Sequence, residues 1–89
     1  MSRLLAFVNI FVESPEMDDV VTALCKLEDV VDVYEVTGEF DIVTLISAED
    51  TEGFRRVLQN KVQKIKGVKS TVSVIVLKAH KGPSRGAMQ

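Results

Sequence analysis

The sequence has no tryptophan, one cysteine and one histidine in 89 residues, and each scarcity closes off a class of chemistry. Cys25 has no second thiol to pair with, so no intrachain disulfide forms and the chain suits a reducing compartment. Cys25 and His80 stand far apart, which leaves no zinc-type cluster and no Cys–His catalytic pair within one chain. A basic excess is also missing: 11 Lys and Arg stand against 13 Asp and Glu, for a net charge of −2. A surface that tracks phosphates needs the opposite balance, so direct nucleic-acid binding is disfavoured. No apolar run approaches the roughly 18 residues of a membrane span. The apolar start Leu4-Leu5-Ala6-Phe7-Val8 is interrupted by Asn9 and Glu13, and no small-residue cleavage site follows, so it does not read as a signal peptide. These absences predict a soluble, cytoplasmic protein with no metal, no other cofactor and no membrane contact.

What is abundant is apolar surface. A chain this short forms one domain and buries only about 60–65% of the surface its unfolded form exposes. Yet 46% of its residues are apolar. Oligomerisation resolves the mismatch by burying part of that surface between subunits.

The chain reads as alternating strands and helices. Residues 4–12 form a strand apolar on both faces, with Leu4, Ala6, Val8, Ile10 and Val12 opposed to Leu5, Phe7, Asn9 and Phe11, which suits a central position in a sheet. Ser14 reads as an N-cap, with Pro15 at N1 and acids in the first turn. Met17, Val20, Val21, Leu24 and Leu27 then mark the buried stripe of a helix, with Cys25 beside it as a small half-buried residue. Residues 30–37 alternate as an edge strand, Val31 and Val33 opposed to Asp32 and Tyr34. A turn at Thr37-Gly38-Glu39 leads into a second central strand over 40–47. Asp50 caps a second helix with the face Phe54, Val57, Leu58, Val62 and Ile65, and Gly67 ends it. Gly53 in its first turn is unfavourable and unexplained by the sequence. Residues 70–79 alternate as a last strand, and residues 80–89 carry breakers without periodicity, as a mobile tail.

The order β-α-β-β-α-β, with a related helix-to-strand junction in each half, predicts an α+β ferredoxin-like domain over residues 1–79. It is an antiparallel four-stranded sheet with two helices on one face. Strands one and three are expected at the centre, parallel to each other. The other sheet face is left for a partner, with Phe7, Phe11, Ile75 and Leu77 expected on it.

Fold alone says nothing about function, because this architecture hosts unrelated activities. A metallochaperone needs paired cysteines in the first loop, and Glu13-Ser14-Pro15-Glu16 has none. A phosphate loop after the first strand and a basic Gly-aromatic RNA-binding pattern are both missing. No catalytic nucleophile–base pair is visible, so no enzyme is expected. A small-ligand module remains. Backbone N–H groups at a glycine turn approach a carboxylate without a Cβ in the way, an aspartate pairs with an ammonium, and hydroxyls complete the hydrogen bonds. Gly38, Asp41, Thr71 and Ser73 supply those groups, provided the turn of one subunit approaches a last strand.

The segment Val30-Val31-Asp32-Val33-Tyr34-Glu35-Val36-Thr37-Gly38-Glu39-Phe40-Asp41-Ile42-Val43 resembles the hallmark of the C-terminal domain of the Lrp/AsnC family, the amino-acid-metabolism regulatory (RAM) domain. Ile65-Lys66-Gly67-Val68-Lys69-Ser70-Thr71-Val72-Ser73 resembles that domain's second motif, and the likeness runs from Leu4 to about Lys78. Full-length family members carry a helix-turn-helix domain ahead of this one, whereas here the sequence opens at the first strand, as in stand-alone RAM proteins. The resemblance implies dimers formed through the sheet faces, which assemble further into octamers or decamers. It also implies a free amino acid bound between dimers, with Gly38, Glu39, Phe40 and Asp41 as the turn and Thr71 and Ser73 as the strand positions. A DNA-binding Lrp/AsnC relative is an expected partner in mixed oligomers. Two alternatives stand beside this reading: a pure interaction module without ligand, and an ACT-type regulatory domain. The latter usually places a glycine in the loop after strand one, where this chain has Ser14-Pro15-Glu16-Met17.

Overall fold

In the computed structural model, which describes residues 3–82, four strands and two helices follow the expected order. They are β1 (Leu4–Val12), α1 (Met17–Cys25), β2 (Val30–Glu35), β3 (Ile42–Ala48), α2 (Thr51–Val57) and β4 (Val68–Ile75). The sheet order is β2-β3-β1-β4, so the two strands apolar on both faces are the central pair. Every pairing is antiparallel, including β1 with β3, which corrects the parallel orientation expected for these two. The crossover through α1 returns β2 in the direction of β1, and the tight turn after β2 then reverses the chain into β3.

Register assigns the faces. Ala6, Val8 and Ile10 of β1 lie opposite Ile46, Thr44 and Ile42 of β3. With Val20 and Leu24 of α1, Phe54 and Val57 of α2, and Val62, they form the core. Each fully buried aliphatic side chain contributes roughly 1.5–3 kcal/mol. Thr44 sits wholly inside this layer, and its Oγ1 donates to Val8 O at 3.1 Å, which removes the cost of burying a hydroxyl.

The helix starts differ from each other. Asp50 caps α2, its Oδ1 accepting from Gly53 N at 2.7 Å. Ser14 does not cap the first helix. It opens a 3₁₀ turn (Ser14–Glu16) whose N-cap is Glu13, without a side-chain cap bond, because Pro15 forces a tight entry before α1 begins at Met17. Cys25, at the last position of α1, is exposed rather than half-buried; the buried stripe runs through Val20 and Leu24. A π turn (Leu58–Val62) continues α2, with Gln63 N bonded to Leu58 O at 2.8 Å.

The open sheet face also differs in detail. Phe7 pairs with Val74, Asn9 with Val72 and Phe11 with Ser70, so Val72 and Val74 share the open face with Phe7. Ile75 lies opposite Ala6, on the helix side, and Leu77 lies beyond β4. The error was one of register: alternation defines two faces but does not say which joins Phe7. A β-bulge between Val30 and Asp32 likewise turns Val31 outward, away from Val33's face. Beyond β4, Val76 N donates to Leu5 O, and Val76, Lys78, Ala79 and Lys81 line a pocket of about 220 Å³ with Leu5, Phe7 and Leu45. His80 to Gly82 have no regular structure, and the rest of the expected tail, 83–89, lies outside the described residues.

Candidate ligand site

The β2–β3 turn is closed by one backbone bond and tied to β1 by another. Val36 N donates to Asp41 O at 3.0 Å, closing the turn, and Asp41 N donates to Ile10 O at 3.1 Å. Gly38 takes φ +123°, a conformation that disfavours any Cβ, and nothing lies within 4 Å of where one would project. Its backbone is therefore open to an incoming group. Glu39 beside it is exposed. Phe40 is half-buried against Phe11, with ring centroids 4.9 Å apart at 55°, an arrangement aromatic pairs favour.

Asp41 has a structural duty that the sequence did not reveal. Its Oδ2 accepts from Val12 N at 2.8 Å. Val12 adjoins the register shift between β1 and β4, where the ladder leaves an amide to be satisfied from elsewhere. Among the described residues no group donates to the other oxygen, Oδ1.

Thr71 and Ser73 lie across β1 from the turn. Thr71 pairs with Ile10 and Ser73 with Val8, placing both on the helix side of edge strand β4. Ser73 is exposed, and Thr71 is half-buried with its Oγ1 accepting from Gln63 Nε2 at 3.1 Å. The turn and the hydroxyl strand thus share one end of the sheet but are separated by β1, roughly 10 Å at two strand spacings. One chain does not bring all six residues around a single point. The sequence missed Phe11 and Gln63 as supports. Phe11 was legible as an aromatic at the end of β1, whereas Gln63 carries no signal in a helix-to-strand connection.

A separate cleft of about 450 Å³ lies at the opposite end of the sheet, where β1 starts and β3 ends. Among the described residues no group of three or more His, Cys, Asp or Glu is placed to hold a metal. Nor is any helix among them long and apolar enough to cross a membrane.

Residues 5–85 match the family model of the Lrp/AsnC ligand binding domain. The chain belongs to that family. The HTH-type transcriptional regulator FL11 from Pyrococcus furiosus is 38% identical over 79 residues, which cover 89% of this chain and 52% of the relative. The Lrp/AsnC domain thus spans about half the length of that curated relative. A segment of homocitrate synthase from Sulfolobus acidocaldarius is 28% identical over 77 residues, 85% of this chain but 16% of the enzyme. Among solved structures, AsnC of E. coli superposes with a TM-score of 0.85 at 25% identity, covering 89% of this chain and 54% of that one. The feast or famine regulatory protein from M. tuberculosis, complexed with L-methionine, superposes with a TM-score of 0.78 at 30% identity, covering 90% and 54%. The ferredoxin-like architecture expected from element order is therefore that of the Lrp/AsnC ligand-binding domain.

Proposed function

We propose that this Lrp/AsnC domain is a non-enzymatic sensor that binds a free amino acid between subunits. The turn Gly38, Glu39, Phe40 and Asp41 of one subunit meets Thr71 and Ser73 of another. The observation that supports this reading is the placement of both groups at one end of the sheet. Gly38, with open space beside it, and Asp41, with one oxygen free of described donors, lie on one side of β1, and the edge strand with exposed Ser73 and half-buried Thr71 lies on the other. A related regulator crystallised with L-methionine supports the ligand class.

In this reading the carboxylate rests on the turn amides, the ammonium pairs with Asp41 Oδ1, and the hydroxyls of the neighbouring subunit close the site. Each charge-assisted bond contributes roughly 1.5–3 kcal/mol. Because the ligand touches two subunits, it stabilises the assembly that contains the site, and assembly is the output passed to a DNA-binding Lrp/AsnC partner. The dimers close into an octamer or decamer.

The test is calorimetry against a panel of L-amino acids with wild type and Asp41→Asn. Asn keeps an oxygen for Val12 N but removes the charge, so the fold is retained and binding is expected to weaken by about tenfold or more, the loss of one charge-assisted bond. Undiminished binding in the folded variant would overturn the site. No binding by wild type at millimolar ligand would instead favour a pure interaction module.

A further inference from the structure

We infer that the cleft between the start of β1, the β3–α2 loop and the π turn is a second ligand site, complete within one chain and suited to a small zwitterion such as a free amino acid. It does not depend on the hairpin site, which lies at the other end of the sheet. Its volume, about 450 Å³, falls in the range of small-molecule pockets.

Three features of the chain converge on it. The first is Gly53, which lines the cleft inside the first turn of α2. A Cβ there would come within 3.2 Å of Asp50 Oδ1, so the bare backbone leaves both the cap bond and the cleft wall undisturbed. This accounts for a glycine at a position where helix propensity disfavours it.

The second is the π turn. In an uninterrupted α-helix the residue four after Val57 and seven after Phe54 is Lys61, which would then sit on the buried face. The additional residue per turn places Val62 in the core, wholly buried, and leaves Asn60 and Lys61 lining the cleft. Such turns recur at functional sites.

The third is the charge pattern. Arg3, Arg56 and Lys61 stand with Asp29, Glu49 and Asp50 around the cleft. Four of these are fixed by their own chain. Arg3 Nε donates to Ser47 Oγ at 2.8 Å, Lys61 pairs with Asp29 at 2.9 Å, and Asp50 holds Gly53 N. Glu49 and Arg56 have no side-chain hydrogen bond or ion pair to another described residue. One acid and one base thus line the cleft beside charged groups that are already paired. A phosphate would meet three carboxylates there and a polyamine three cations. A carboxylate on Arg56 with an ammonium on Glu49 satisfies both.

Titration of the ¹⁵N-labelled full chain with the proteinogenic L-amino acids, read amide by amide, tests the assignment. At least one amino acid is expected to shift Gly53, Asn60 and Lys61 saturably. Arg56→Gln and Glu49→Gln should each raise the midpoint by about tenfold. Arg55→Gln, a neighbour outside the cleft, should leave it unchanged. Shifts at Gly38 and Asp41 report the hairpin site instead, and Asp41→Asn removes those alone, so failure of one site is distinguishable from failure of the other. The inference is overturned if the cleft amides stay still across the panel. It is equally overturned if equimolar acetate and methylammonium move them as far as the amino acid does, or if Arg56→Gln leaves the midpoint in place.

Discussion

Gly38 and Gly67 both adopt positive φ, +123° and +103°, yet their surroundings differ. At Gly38 a Cβ meets open space, so Gly38→Ala carries only backbone strain, about 1–2 kcal/mol. At Gly67 a Cβ would collide with the Glu16 Cβ and approach Val20 Cγ2 to 2.9 Å, because the start of α1 packs directly on the end of the second helical segment. Glu13 N donating to Gly67 O at 2.8 Å holds the two together. Chemical denaturation should therefore rank Gly67→Ala as clearly more destabilising than Gly38→Ala; equal losses would mean that the packing is looser than described. Both glycines were legible in the sequence as turn and helix stop. The contact behind Gly67 was not, since it joins residues about fifty positions apart. Asp41 shows the same limit: its place in the motif was readable, its bond to Val12 N was not.

A solvent-exposed pair on α2 supplies a pH response. Arg55 Nη2 lies 2.7 Å from Glu52 Oε2, and this hydrogen bond, followed by the guanidinium charge, holds the Glu52 carboxyl below its ordinary 4.5. A carboxyl depressed in the folded state contributes stability that is present above the unfolded value and is lost as pH falls through the lower folded one. Exposure and salt keep that contribution small. A carbon-detected titration should find the Glu52 midpoint below 4.5 in the wild type and nearer to it in Arg55→Gln; an unmoved midpoint would refute the coupling.

At the scale of elements, the two helix starts make opposite predictions from similar sequence signals. Asp50 accepts a bond from Gly53 N, so Asp50→Ala should cost about 1 kcal/mol in denaturant unfolding. Ser14 makes no cap bond, so Ser14→Ala should lie within about 0.5 kcal/mol of wild type, as surface substitutions usually do. The sequence displayed a polar residue before an acidic first turn in both places. What separates them is Pro15, whose ring draws the chain into a 3₁₀ turn and moves the boundary to Glu13. Strand positions were more readable. β1 has the limits its alternation predicted, because apolar residues on both faces demand a central site. The π turn was hidden, since Phe54, Leu58 and Val62 also fit an unbroken α-helix; the bond from Gln63 N to Leu58 O, five residues back, and the exposure of Lys61 beside buried Val62 separate the two geometries.

For the molecule as a whole, the decisive asymmetry lies between the two faces of the sheet. The helix side is closed over a buried layer along the central strands β1 and β3, and edge strand β4 stays partly open there. On the other side Phe7, Tyr34, Val72 and Val74 remain 40–55% exposed, although they form part of a regular ladder rather than scattered surface positions. Leu5 and Leu45 on that same face are buried where the chain beyond β4 lies across it, so the remaining opening is bounded at one end. A stable homodimer needs roughly 800 Å² per partner, a modest fraction of the 5870 Å² this chain exposes. A second copy packed on the face would cover these side chains together. Phe7 sits on central β1 and touches the register of both β3 and β4, which makes it the position where a charge does most harm. Phe7→Glu leaves the core side of β1 unchanged, since Ala6 and Val8 carry that packing. Light scattering should therefore give a multiple of the 9.8 kDa chain mass for wild type and a smaller species for Phe7→Glu with unchanged circular dichroism. A wild-type monomer at micromolar concentration would remove the basis for an interface ligand site while leaving the single-chain cleft available to bind.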